Sequence, residues 1–176
     1  MRLAFIIMGK FSYKKYRGQD HKALAVWAAD CAERVLPFFE NAYPGDGRPR
    51  EAIGACREWV GTGVFKMAVI RGASLAAHAA AREVAGNDAA CFAARASGQA
   101  AATPHVAQHA FGSAYYGLKA VIAADPFHAE TNIAKELEWL SRHLPENLRQ
   151  EVMGRISVKK NPGKKIMVKI QKGEGF

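Results

Sequence analysis

Alanine limits what this chain can fold into more than any other feature: it fills 33 of 176 positions, mostly between Leu24 and Ala134. A side chain that ends at Cβ loses no rotamer freedom in a helix, so such a run favours α-helix over its alternatives. An all-β fold is thereby excluded. With 49% hydrophobic and 10% aromatic residues the chain can still bury a core, which argues against disorder. The expectation is all-α: a compact single-domain bundle of about six to seven helices with short non-helical or β-prone N- and C-terminal arms.

Start and stop signals divide the body. Asp20 is placed to cap a first helix from His21 to about Tyr43, ended by Pro44-Gly45-Asp46-Gly47, with a kink or break near Val35 because Pro37 lies inside the pattern. Pro49 opens a second helix, to about Val60, and Gly61-Thr62-Gly63 closes it. A third runs from about Val64 to Val84, and Asn87 caps a fourth that ends near Ala102. Thr103-Pro104, Asp125-Pro126 and Leu144-Pro145 each place proline in a first turn, giving helices from Pro104 to Ala124, from Pro126 to about Leu144, and from Pro145 to about Ile156. Two apolar runs, Leu3 to Ile7 and Ile166 to Ile170, read as strands that either pair with each other or lie loosely as surface extensions.

The net charge of +9 sits at the ends. Residues 1–18 carry five cations and no acid, and residues 155–176 carry seven against Glu174, so removing those arms, +5 and +6, from +9 leaves −2 for residues 19–154. The expected organisation is a basic arm over 1–18, a helical domain over 19–156 and a basic arm over 157–176. Nucleic acid is not expected as a partner, because Lys159, Lys160, Lys164, Lys165, Lys169 and Lys172 have few aromatic residues among them. Leu3 to Met8 is too short to be a signal core or a membrane span, so no membrane is expected. Cys31, Cys56 and Cys91 are widely spaced and odd in number, which suits buried thiols in a reduced, cytoplasmic protein.

Three consecutive helices each carry one polar stripe. Arg71, Ser74, His78 and Arg82 share a face of the third, Arg95 and Gln99 lie four apart on the fourth, and His105, His109, Gly112 and Tyr116 follow one another along the fifth. Either these are solvent faces, or they converge on a pocket of Arg, His, Gln and Tyr. The scarcity of Lys and Glu on these helices favours enclosure, and the shortage of acids then invites an anion or a partner's acidic group. His105 and His109 have the H-x-x-x-H spacing of a metal pair, but Val106 stands where H-E-x-x-H has glutamate, so structural histidines are expected and no metal or other cofactor is. In the turn before the second helix, Asp46, Arg48 and Arg50 form either an anion site or a self-contained cap. Without a Gly-rich phosphate loop, a Ser-His-Asp order or paired carboxylates, the pattern leans away from an enzyme.

Trp27-Ala28-Ala29-Asp30-Cys31-Ala32-Glu33-Arg34-Val35-Leu36-Pro37, followed by Asp46-x-Arg48-Pro49-Arg50-x-Ala52-Ile53, resembles the start of a bacterial helical family of immunity proteins, the Imm-5-like proteins of polymorphic toxin systems. The stretches 76–82, 94–100, 102–110 and 144–149 are similar to that family in the same order, so the resemblance covers about residues 20–153. It implies a helical cytoplasmic protein that neutralises a cognate protein toxin by stoichiometric occlusion, which needs a complementary surface and no catalytic residues. Candidate contact residues are Asp46, Arg48, Arg50, Arg71, His78, Arg95, Gln99, His105, His109 and Tyr116. A homo-oligomer is compatible with this reading. The alternative is a small-ligand or metal-binding helical protein, possibly an enzyme, using an enclosed His/Arg pocket.

Overall fold

The computed structural model describes residues 16–160 and 166–173. Among them are seven helices, α1 (Gly18–Glu40), α2 (Arg48–Thr62), α3 (Met67–Glu83), α4 (Asp88–Ala102), α5 (His109–Ala124), α6 (Ala129–Arg142) and α7 (Glu146–Arg155), and two strands, β1 (Ile156–Lys159) and β2 (Met167–Ile170). The all-α expectation holds.

Helix α4 lies at the centre, packed by α1, α2, α3 and α5. Its sequence explains the position: eight of its fifteen residues are alanine, and it is buried nearly all round. Small side chains let four helices approach one axis, and the large apolar groups come from elsewhere, with Leu24, Trp27, Leu36 and Phe39 of α1, Phe111 and Leu118 of α5 and Leu140 of α6 fully buried. Polar groups in this core find partners across the elements. Trp27 Nε1 donates to the Leu140 carbonyl at 3.0 Å and Ser113 Oγ to the Ala28 carbonyl at 2.7 Å, tying α1 to α6 and to α5. Arg34 grips the buried Glu136 carboxylate with Nε at 2.9 Å and Nη2 at 2.7 Å, with its guanidinium 4.1 Å from the Trp139 ring centre.

Several boundaries differ from the sequence reading. α1 starts at Gly18, so Asp20 lies in its first turn and does not cap it. The helix also runs unbroken through Pro37, because so close to its end the ring removes one hydrogen bond, while Val35, Leu36 and Phe39 remain buried around it. α5 begins at His109, five residues after Pro104: Pro104 is buried, and Thr103 to Gln108 make additional turns before the helix. α6 begins at Ala129, not at Pro126, because Asp125 accepts from the His128 backbone N–H at 3.2 Å and holds a separate turn. α2 matches its signals closely, with Pro49 in its first turn and Gly63 at φ +69 closing it, a left-handed conformation that glycine adopts without strain.

The C-terminal segment is a hairpin and not a loose arm. β1 and β2 pair antiparallel, with Val158 opposite Val168, and Val168 is buried against α5. The run Leu3 to Ile7, expected as a possible partner of this strand, lies outside the described residues. No described helix is long and apolar enough to cross a membrane.

Candidate functional site: a cationic seam between α3, α4 and α5

Two glycines bring the polar stripes together. The His78 ring of α3 lies directly on Gly98 of α4, where an added Cβ would stand 2.9 Å from Cε1 and Nε2. Across α4, Gly112 of α5 admits Gln99 so closely that a Cβ there would meet its Oε1 at 2.4 Å. Gln99 Oε1 is 2.8 Å from His109 Nδ1. A carbonyl oxygen only accepts, so the proton sits on Nδ1 and leaves Nε2 as an acceptor when the ring is neutral. His78, Gln99 and His109 are all half-buried.

The charges here are of one sign. Burial, reinforced by Arg95, Arg82 and His109, pushes the His78 imidazole below its ordinary value, and burial together with His105 does the same to His109. Both rings are therefore neutral at pH 7. His78 Nδ1 is buried without a hydrogen-bond partner among the described residues. Arg95 has Cys91 and Tyr116 as its neighbours, the Cys91 contact raising its pKa most, and its guanidinium is 5.8 Å from the Tyr116 ring centre. No described carboxylate bonds it. The row continues outward, with Phe92 stacked on Tyr116 at 6.2 Å and Lys119 Nζ 4.1 Å above Phe92. Seen chemically, the seam is a set of cations and aromatic rings that offers hydrogen-bond donors to a carboxylate.

Beside the seam is a cavity of about 540 Å³, with Gln99, His109 and Gly112 on one wall and Val168, Lys169 and Lys172 of the hairpin segment on the other. Sequence reasoning missed the hairpin wall because nothing local links β2 to α5. It also passed over Phe92 and Lys119, although Phe92, Arg95 and Gln99 fall at i, i+3 and i+7, and Tyr116 and Lys119 are three apart.

Five expected site residues lie elsewhere. His105 sits in the turn before α5 and stacks on Phe65 at 6.3 Å, so it does not share a helical face with His109. Among the described residues no group of three or more His, Cys, Asp or Glu side chains is arranged to hold a metal ion. Arg71 is on the exposed part of α3. Asp46 accepts from the Arg48 backbone N–H at 3.1 Å and side-chain Nη2 at 2.6 Å, and Arg48 also reaches Glu83 at 2.5 Å. Arg50 pairs with Glu40 at 2.5 Å. These arginines have acidic partners within the chain, in a clamp joining the α2 start to α1 and α3. The three thiols are free and buried, and burial pushes Cys56 up to about 12 and Cys31 up as well.

The family model described as "Imm-5 like putative immunity protein" matches residues 14–147, about three quarters of the chain and all of the seam. The chain belongs to this immunity-protein family. The match begins at Lys14, before α1, and ends at Asn147, in the first turn of α7, so the hairpin lies beyond it. No curated protein and no solved structure matches the chain. The matched region thus takes in α1 to α6, while most of α7 and the hairpin that walls the cavity lie outside it.

Proposed function

We propose that this chain is the immunity component of a toxin–immunity pair, binding a toxin polypeptide one to one and occluding it. The observation that carries the reading is the family match across residues 14–147. The seam supports it chemically: Arg95, Tyr116, Phe92 and Lys119 form a cation and aromatic surface without a carboxylate, the composition in which protein interfaces concentrate binding energy. Three buried free thiols suit the cytoplasm as the compartment.

Native mass spectrometry of the chain captured gently from its own host tests this. The expected spectrum shows a complex with a second, different polypeptide, which then binds the purified chain at micromolar or better affinity. Failure of every such polypeptide to bind the purified chain ends the reading. The 540 Å³ cavity, with His109 and Gln99 in its wall, favours a second reading as a small-ligand protein. A small-molecule adduct on the bare chain, lost on replacing His109 with alanine in a folded variant, is its signature in the same spectrum.

A further inference from the structure

The outward side of α3 is built differently from the seam. Ala68, Gly72, Leu75 and Ala79 recur along it at helical spacing, and the first three are exposed. Around the start of this row Val64, Phe65, Met67 and Val69 are exposed as well, so five of the eight exposed large hydrophobic side chains among the described residues fall between Val64 and Leu75. Val64 is 59% and Leu75 54% exposed. A helix that meets water on its outer face normally carries Lys and Glu there. Here no acid occurs from Trp59 to Arg82, and the charges are Lys66, Arg71 and Arg82. None of the three forms an ion pair among the described residues. A clustered apolar patch with a charged rim marks an interaction surface.

We infer that this face of α3, with the linker that precedes it, is where the partner polypeptide docks, and that the partner presents an apolar segment bordered by carboxylates. The inference rests on the immunity reading for the existence of a protein partner. Charge complementarity selects its chemistry. The rim is cationic, and Arg71 and Arg82 share their stripe with His78, so the apolar ridge runs beside the seam that also lacks carboxylates. A second copy of this chain fits poorly, since a two-fold pairing sets Lys66, Arg71 and Arg82 against their own kind. At Gly72 a Cβ would meet nothing within 4 Å, so the face is open to an incoming partner one turn from Leu75.

The test places the photo-cross-linker p-benzoylphenylalanine at position 75 or 69 of the full chain in its own host, with position 127 as control, because Phe127 is 97% exposed on another loop. The expected adduct forms at 75 and 69 but not at 127, on a different polypeptide, within a segment where Asp or Glu flanks apolar residues. That polypeptide, purified, binds Leu75→Asp and the double variant Arg71→Glu/Arg82→Glu at least ~10-fold more weakly, with melting curves unchanged because these side chains are exposed. An adduct to the chain itself, or to lipid, overturns the inference in favour of self-association or a membrane. If the partner binds these variants as tightly as the parent, the docking face is wrong and the immunity reading stands. If no polypeptide cross-links at any position and none binds the purified chain, both fall.

Discussion

At the scale of single residues, the two tightest glycines and the open ones make opposite demands. Gly98→Ala drives a Cβ into the His78 ring at 2.9 Å, and neither the α4 backbone nor a ring held between helices yields cheaply. We expect a loss of about 2 kcal/mol in urea unfolding. Gly54 is also within a helix, but a Cβ there meets nothing. Gly54→Ala should stabilise the chain by about 0.5–1 kcal/mol in the same measurement, through helix propensity alone. The histidines supply a pH signature. His78 and His109 bind protons less readily folded than unfolded, so below the ordinary imidazole value of 6.5 the unfolded chain takes up protons that the folded chain refuses. Stability is therefore full above pH 6.5 and declines as pH falls below it. Thermal melts from pH 7.5 to 5.5 should show the midpoint dropping, and the double variant His78→Gln/His109→Gln should flatten that drop.

At the scale of elements, the hairpin belongs to the core. Val168 is 7% exposed and packs with the same cluster as Phe111 and Val152. Val168→Asp should therefore cost about 2–3 kcal/mol in denaturant unfolding, where a loose terminal arm would tolerate it without effect. The Arg34 link between α1 and α6 offers a second check. The Glu136 side chain is only 8% exposed, so Arg34→Ala strands a carboxylate, and about 2 kcal/mol should be lost even though Arg34 itself is 38% exposed. How legible the elements were follows from where their signals act. Pro49, Gly63 and Asn87 work on the backbone beside them, and Asn87 Oδ1 accepts from the Ala90 N–H at 3.1 Å as its type suggests. Pro104 and Pro126 misled because proline fits a turn as well as a helix start, and tertiary burial of Pro104 decided between the two. β1 is only four residues long and joins directly to α7, so no periodicity announces it. The stripes were readable as faces, but that His78 meets Gly98 and Gln99 meets Gly112 depends on helix register across three elements, which spacing within one helix does not encode.

At the scale of the whole molecule, α4 decides how the others stand. It is encircled by α1, α2, α3 and α5, and most of its surface ends at Cβ. Nine of its fifteen residues are buried, so hydrogen exchange should be slowest there, while the exposed α3 start exchanges far sooner. A further consequence concerns recognition. Helices set around so thin a spacer cannot slide past one another without colliding backbones, which leaves Arg95, His78 and Tyr116 preorganised before anything binds. For the toxin binding proposed above, little ordering entropy would then remain to be lost on this chain's side, and any adjustment of shape would fall to the partner.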